Sequence, residues 1–338
     1  MNVRSFVISF TLSCFNPLLA QHQTVIKMGT LAPEGSPWHQ VLQRMGERWR
    51  NISGGAVRLN IYAGGNLGDE PDLVNKMRIG QIQAVALSGA GMERIEPGVS
   101  CLQIPMMFRS YEELDYVRDH LAPRLESMID ARGFIVLNWG DAGWVHFFTR
   151  RPVRQIGEMR RMSLFVWAGF NNDELELWKT AGFRPQPLAA TDILPSLQTG
   201  LIDAVPLPPL YALLDQVFGI AKYMNDIKWS PLVGTTVIAK PAWEKLPAGQ
   251  RAEMLAAARE AGDELRQSIR KMGDDAVTAM RNRNLVVSHA DAADEEEWRR
   301  ETESMYPRIR GKIVPADLFD EVLRLRDQYR SGANARVK

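Results

Sequence analysis

The sequence is short of cysteine, of net charge and of long apolar runs, and each shortage excludes a class of protein. Two cysteines in 338 residues are too few for a disulfide-stabilised scaffold. Basic residues number 41 and acidic residues 40, so the charge balance predicts no nucleic-acid or anionic-membrane partner. No stretch reaches the roughly 18 apolar residues of a membrane-spanning helix. With 45% hydrophobic and 24% charged residues, a chain of this length favours two globular domains.

Motifs of catalysis, cofactor binding and metal binding are also missing. The loop "SGAGMER" begins like a dinucleotide-binding loop, but Arg94 stands where the third glycine would be. Ser88 is not part of a Gly-x-Ser-x-Gly elbow, since Ala86 precedes it. No histidine has a second histidine four residues away, as a helical zinc site would require. We therefore predict no cofactor, no metal ion and no enzymatic activity, and an enzyme with an unrecognised motif is the most distant alternative.

The first 20 residues differ from the rest and predict a secretory signal peptide. Arg4 precedes an apolar run, and Ala20 provides a small residue before the cleavage site. Acylation at Cys14 is not expected, because "TLS" is a poor approach to a lipidated cysteine. Cleavage after residue 20 leaves Cys101 as the single cysteine, in an apolar setting typical of a buried side chain. The exported chain then has no internal disulfide.

Strand and helix patterns alternate along the chain and predict an α/β fold with a mostly parallel sheet covered by helices. The strand "TVIKMGTLA" is followed by a helix that starts at the N-cap Ser36, and "AVRLNIY" and "IQAVALS" continue the alternation. A helix over 111–131 and the strand "GFIVLNWG" end the first run, and "MSLFVWA" begins a second. Residues 247–284 predict one helix of about 57 Å, long enough to lie across two domains.

Several motifs in order resemble the extracytoplasmic solute-binding subunits of TRAP transporters. The resemblance runs through "IKMGTLAPEGSPWHQ", "IPMMFRSYEELDYV", "LPSLQTGLIDA" and the long helix. It implies a two-lobed periplasmic receptor with hinge strands that closes over a small molecule and delivers it to a TRAP permease. One lobe is expected to contain residues 22–143 and 230–262, and the other 144–229 and 263–330, with 331–338 as a tail.

The resemblance also implies three polar recognition positions, and all three are apolar in this chain. The family's ligand-pairing arginine falls on Phe165, a second arginine falls on Val145, and an asparagine falls on Leu207. A carboxylate in a closed cleft without its buried partner costs about 2 to 5 kcal/mol, whereas each buried apolar side chain contributes roughly 1.5 to 3 kcal/mol. We therefore predict a hydrophobic or amphipathic ligand.

Aromatic residues cluster near these positions, and strand alternation places Val145 with Phe147, and Phe165 with Trp167, on common faces. Some aromatics, Trp144 and Phe170 in particular, have interior packing as their alternative role. A carboxylate receptor using one of the arginines at 150, 151, 160 or 161 also stays open. The C-terminal "VPADLFDEVLRLRDQYR" resembles a subgroup with apolar clefts that works with a helical-repeat (TPR) periplasmic protein. The predicted ligand-binding residues are Leu31, Ser88, Met106, Trp144, Val145, Phe147, Phe165, Trp167, Leu207, Tyr211 and Trp229.

Overall fold

The computed structural model describes residues 23–168 and 172–336, and side chains as far as residue 332. The predicted signal peptide, residues 1–20, and Phe170 lie outside the described residues. Within them, no helix is both long enough and apolar enough to cross a bilayer.

Ten strands and thirteen α-helices alternate along the described chain. The strands are β1 Thr24–Thr30, β2 Val57–Tyr62, β3 Ala84–Ser88, β4 Phe134–Thr149, β5 Ser163–Trp167, β6 Arg184–Leu188, β7 Ala204–Leu207, β8 Tyr223–Asn225, β9 Ser230–Ala239 and β10 Val286–Ser288. The helices are α1 Pro37–Ile52, α2 Glu70–Arg78, α3 Gly89–Glu93, α4 Tyr111–Ala131, α5 Ile156–Met159, α6 Asn172–Thr180, α7 Ile193–Thr199, α8 Pro209–Leu214, α9 Lys240–Glu244, α10 Arg251–Arg281, α11 Ala292–Glu303, α12 Tyr306–Ile309 and α13 Ala316–Arg336. Short 3₁₀ helices include Pro97–Gln103 and Ala190–Asp192.

Helix starts follow the capping chemistry of the sequence. The Ser36 side chain accepts a hydrogen bond from the His39 backbone N–H, and Pro37 occupies the first turn of α1. Asp69 caps α2 in a capping box completed by Asp72. The predicted start of α1 at Ser36 is confirmed.

Two parallel groups of strands are joined in the middle by an antiparallel pair. The strand order is β2-β1-β3-β9-β4-β7-β5-β6, with β8 on β4 and β10 on β8. Strand β1 is parallel to β2 and β3, and β5 is parallel to β6 and β7. Strands β4 and β9 are antiparallel to each other over nearly their whole lengths. The first part of the molecule therefore contains β1 to β3, the second contains β5 to β7, and β4 and β9 run through both.

The predicted strand "GFIVLNWG" is shorter than the strand that forms, because β4 continues to Thr149. This strand is 16 residues long. Its pairing with β9 shifts register between Val136 and Asn138 and again between Asp141 and Gly143. Gly143 has a φ of 101°, which a residue with a Cβ rarely adopts. The two bulges let one strand change direction without ending.

Alternating side chains cover both faces of the sheet. In the first part, Val237 packs with α4 residues such as Leu121, whereas the neighbouring Ile238 packs with Trp49 of α1 and Met254 of α10. In the second part, Phe148 and Phe147 belong to separate clusters in the same way. Each part therefore has helices on both sides of its strands.

The long helix α10 has 31 residues and is shorter than the predicted 247–284, because residues Ala248–Gln250 form a 3₁₀ turn. It contacts α1 of the first part, β4, and α8 of the second part. The prediction of one helix lying across both parts is confirmed.

The C-terminal helix α13 packs on the first part. Tyr329 contacts Tyr116 of α4 with ring centroids 5.4 Å apart, and Arg330 forms an ion pair with Glu113. The predicted division had placed residues up to 330 in the second lobe, and these contacts assign α13 to the first. The predicted tail from 331 instead continues α13 to Arg336.

Candidate ligand-binding cleft

Two adjoining cavities lie between the two parts of the molecule. The aromatic cavity encloses about 150 Å³ and is walled by Phe165, Trp167, Trp178 and Trp229. The strand-end cavity encloses about 110 Å³ and is lined by ends of strands from both parts. Trp167 and Leu232 line both cavities. The two cavities therefore lie next to each other.

The cleft forms where carboxyl ends of parallel strands from the two parts meet. Thr30 ends β1 and Ser88 ends β3 on one side, while Trp167 ends β5 and Leu207 ends β7 on the other. Open α/β sheets bind ligands in the crevice outside the carboxyl ends of their strands. The backbone topology thus directs the loops that follow these strands toward a shared space.

Most of the predicted residues are brought together around the two cavities. Val145, Phe165 and Trp229 line the aromatic cavity, and Trp167 lines both. The strand-end cavity includes the remaining members of this set, which are Leu31, Ser88, Leu207 and Tyr211.

Three predicted residues do not line either cavity, and each has an interior partner. Phe147 is fully buried, with ring centroids 5.3 Å from Trp229 and 5.5 Å from Trp298. Trp144 packs on Tyr111 at 5.4 Å, on another side of β4. Met106 accepts a hydrogen bond at its sulfur from the buried Thr302 hydroxyl.

The three positions at which the resemblance implies polar recognition residues all lie at the cleft. Val145 and Phe165 face the aromatic cavity and Leu207 the strand-end cavity. Phe165 is fully buried and meets the Trp167 ring edge-on, at 5.5 Å between centroids. The side chains at these positions therefore form apolar wall instead of presenting polar groups.

Among the described residues, no lysine, arginine or histidine lines either cavity. Arg160 pairs with Glu301 at 2.9 Å and lies over the Phe183 ring. Arg150 donates to the Leu197 carbonyl at 3.4 Å, and Arg151 is mostly exposed. Arg161 is exposed as well. These arginines, considered from the sequence as replacement cations, are directed elsewhere.

Carboxyl groups line the cleft instead, and sequence reasoning missed them. Glu70 and Asp141 belong to the strand-end cavity, and Glu93 and Glu174 to the aromatic cavity. In the sequence, Glu70, Glu93 and Glu174 lie in the first or last turn of a helix. At such positions they look like ordinary capping or surface residues. Only the packing of the two parts reveals that these acids share an apolar space.

Glu70 is held by Ser88 at the end of β3. Its Oε1 accepts from the Ser88 backbone N–H at 2.7 Å, and its Oε2 accepts from the Ser88 hydroxyl at 2.6 Å. Burial raises the pKa of Glu70 to about 7, although both hydrogen bonds oppose the shift. Ser88, predicted to touch ligand, has its hydroxyl engaged by this carboxylate.

Glu93 and Glu174 meet across the cleft, one from α3 of the first part and one from α6 of the second. Burial raises the pKa of Glu93, and the charge of Glu174, a hydrogen bond with its carboxyl group and the charge of Glu70 raise it further. A hydrogen bond between two carboxyl groups requires one of them to hold a proton.

The two parts also touch directly beside the cavities. Asp69, the N-cap of α2, accepts a hydrogen bond at 3.0 Å from the backbone N–H of Ala190 in the second part. Trp38 of α1 and Tyr211 of α8 have ring centroids 6.3 Å apart. The structure therefore shows the two parts closed on each other.

A family model for the bacterial extracellular solute-binding proteins, family 7, matches residues 28–312. The chain belongs to this family. It is similar to a solute-binding protein of Roseobacter denitrificans, with 25% identity over 244 residues that cover 71% of this chain and 73% of the relative. The family is defined by solute binding and not by a catalysed reaction.

Solved structures of other solute-binding proteins share the fold. One is a TRAP periplasmic solute-binding protein from Ralstonia eutropha with bound (S)-2-acetolactate, with a TM-score of 0.84 and 19% identity over 90% of this chain and 99% of that one. Another is a sugar acid-binding protein from Advenella mimigardefordensis in complex with galactonate, with a TM-score of 0.84 and 18% identity over 90% and 98%. The two-lobed fold predicted from the sequence is confirmed.

Proposed function

We propose that this family member is the periplasmic receptor of a TRAP transporter and that it captures a hydrophobic or amphipathic small molecule. The first and second parts act as lobes that close over the ligand. The closed form is then recognised by the membrane permease. The ligand leaves chemically unchanged, since the proposed role is binding without catalysis.

The observation that carries this proposal is the composition of the cleft walls. Val145, Phe165 and Leu207 line it, and no basic residue does so among the described residues. An organic acid entering this space would lose its hydration without gaining a cation, at a cost of several kcal/mol. Micromolar affinity requires only about 8 kcal/mol in total, so a loss of this size supports an apolar ligand over an organic acid.

The lobes are proposed to move about β4 and β9, the two strands that run through both parts. Gly140 of β4 pairs with Gly234 of β9, and the bulge at Gly143 follows directly. Backbone without side chains at this crossing absorbs changes in φ and ψ at low steric cost. Closure follows when a ligand contacts both lobes and so binds the closed form better than the open one.

A carboxylate receptor with a non-standard arginine is the second candidate, and the relatives favour it. The two solved structures described above hold acetolactate and galactonate, which are both organic acids. In this chain such a ligand would need a guanidinium that enters the cleft.

Native mass spectrometry of the purified protein, followed by extraction of the co-purifying molecule, tests the proposal directly. We expect an apolar or amphipathic molecule of unchanged structure. Calorimetry with galactonate, acetolactate and succinate should show no binding to the unaltered protein. Tight binding of any of these acids would establish the second candidate instead.

The variants Phe165→Arg and Val145→Arg supply the cation that the cleft lacks. We expect one of them to gain measurable affinity for an organic acid, whereas the conservative Phe165→Leu should not. Thermal unfolding of each variant shows whether the introduced charge is tolerated at a buried position.

Two further elements of the proposal concern export and partners. The N-terminal 20 residues are proposed to direct secretion, which N-terminal sequencing of periplasmic protein would test. The resemblance of the C-terminal segment to the apolar-cleft subgroup supports a TPR protein as an additional partner. Co-purification of a TPR protein with the tagged receptor from its native periplasm would support this, and its loss on deleting the α13 segment would locate the contact.

A further inference from the structure

The cleft combines apolar walls with a one-sided set of charges. Glu70, Glu93 and Glu174 line the two cavities, and no basic residue is among the described lining residues. Asp141 also lines the strand-end cavity, but Arg270 pairs with it at 2.7 Å. Acidic side chains are rarely buried unless they are paired with a cation or hold a proton. A ligand that carries a positive charge would therefore complete the charge balance of these walls.

The pair formed by Glu93 and Glu174 is the sharpest case. Their carboxyl groups approach each other from opposite lobes and share a hydrogen bond, and both residues line the aromatic cavity. Without a positive group beside them one of the two must hold a proton, because two carboxylates at this separation repel each other. A cation bound here would attract both lobes at once.

Aromatic rings surround the same cavity. Trp178 and Trp229 have ring centroids 5.6 Å apart, and Phe165 and Trp167 complete the wall. The faces of indole rings attract ammonium groups, and the attraction grows when water is excluded. Rings together with carboxylates form the environment in which proteins bind organic ammonium ions.

An independent feature in the strand-end cavity points to a ligand with hydrogen-bond donors. Asp141 is 2% exposed, and its Oδ2 receives two hydrogen bonds from Arg270. Its Oδ1 has no partner among the described residues. A buried carboxylate oxygen without a donor is costly, and a donor on a molecule in that cavity would remove the cost.

On these grounds we propose that the polar end of the ligand is a protonated amine, bound by Glu93 and Glu174 within the aromatic cavity, while the apolar body extends past Trp167. This inference rests on the proposed function and makes its ligand class more specific. A resident metal ion is a poorer match, because no group of three or more potential ligand side chains is placed to hold one in the described chain.

A headgroup series with a constant apolar chain tests the inference on the unaltered protein. Octylamine, octan-1-ol and octanoate are titrated by calorimetry at pH 7.5 below their aggregation concentrations, with succinate as a fourth probe. We expect octylamine to bind at least about tenfold more tightly than octan-1-ol, and octanoate to bind more weakly than both.

The outcomes separate the two proposals. Tighter binding of octan-1-ol or octanoate than of octylamine would overturn the amine site and leave the apolar receptor standing. Binding of succinate with no binding of the eight-carbon probes would overturn both.

Charge-removing variants locate the site. Glu93→Gln and Glu174→Gln are expected to weaken octylamine binding by about 10- to 100-fold and octan-1-ol binding by less than about threefold. Glu176→Gln is the matched control, since Glu176 lies on the same helix as Glu174, is exposed and pairs with Lys179 at 2.9 Å. Equal losses of affinity for octylamine and octan-1-ol would contradict an ionic role of the two glutamates. If a variant fails to fold, the affinity ranking of the headgroup series on the unaltered protein tests the amine site.

Discussion

At the scale of the residue, burial decides whether an acidic side chain of this protein caps a helix at the surface or lines the cleft. Residue type alone does not. Glu70 follows the helix cap Asp69, so the sequence shows only an acidic helix start. The fold turns its side chain to Ser88 and into the cleft. Val145, Phe165 and Leu207 were found from the sequence because a resemblance supplied their positions. The cleft acids were missed because no local pattern distinguishes them from solvated helix ends.

The first prediction concerns the pH dependence of stability through Glu70. Its pKa is raised to about 7 in the folded protein, mainly by burial, so the folded state holds a proton that the unfolded state loses near pH 4.5. This contribution to stability is complete below about pH 4.5 and is lost as the pH rises through about 7. Glu70→Gln should therefore become more stable relative to the unaltered protein between pH 5 and pH 8, by on the order of 2 to 3 kcal/mol.

Urea unfolding at a series of pH values measures this difference. Glu112→Gln is the control, and its stability relative to the unaltered protein should stay constant between pH 5 and pH 8 and change only below about pH 4.5. Hydrogen bonds from the backbone at the start of α4 and from Ser110 lower the pKa of the exposed Glu112, so it stabilises the fold above its unfolded pKa and not below. A constant difference between Glu70→Gln and the unaltered protein over this range would show that Glu70 does not carry a raised pKa.

At the scale of the element, the long helix α10 was predictable from the sequence. Of the long strand β4, only the first half was. Periodicity over α10 needs no tertiary information. In β4, two glycines at 140 and 143 interrupt the strand pattern and indicate a break. The strand continues because β9 supplies backbone partners on both sides of the bulge, and pairing with a distant strand cannot be seen in the local sequence.

The second prediction tests how closely α10 packs on β4. A Cβ added at Gly262 would lie 2.6 Å from the Asn138 Cβ and 2.8 Å from the Trp139 carbonyl oxygen. Gly262→Ala should therefore push the helix off the strand and destabilise the fold by about 1 to 3 kcal/mol. At Gly273, in the same helix, a Cβ would meet no neighbouring atom within 4 Å. Gly273→Ala should instead stabilise by roughly 0.5 to 1 kcal/mol. Chemical denaturation of the two variants gives both signs, and a shared sign would refute the close-contact argument.

At the scale of the whole molecule, the two-lobed architecture followed from the resemblance, but the lobe to which α13 belongs did not. Chain order places α13 after elements of the second lobe, and only contacts such as Arg330 with Glu113 assign it to the first. The cleft depends on the same kind of information, since its two walls come from segments distant in the chain. Sequence periodicity fixes the elements, whereas long-range packing decides which side chains share a cavity.

The last prediction separates lobe closure from local stability. Asp69 and Asp291 each cap a helix through a capping box, so replacing either with alanine should cost about 1 kcal/mol of stability. Asp69 alone of the two also accepts the Ala190 backbone N–H across the cleft. Asp69→Ala should therefore favour the open form and weaken ligand affinity by roughly 3- to 10-fold, whereas Asp291→Ala should leave affinity unchanged. Small-angle scattering is measured with whichever of the two probes, octylamine or octan-1-ol, binds more tightly. It should show incomplete compaction for Asp69→Ala only. Both variants could instead lose stability equally and compact fully with unchanged affinity. The hydrogen bond between Asp69 and Ala190 would then not contribute to closure. The contacts that hold the lobes together would have to come from the ligand and the cavity walls.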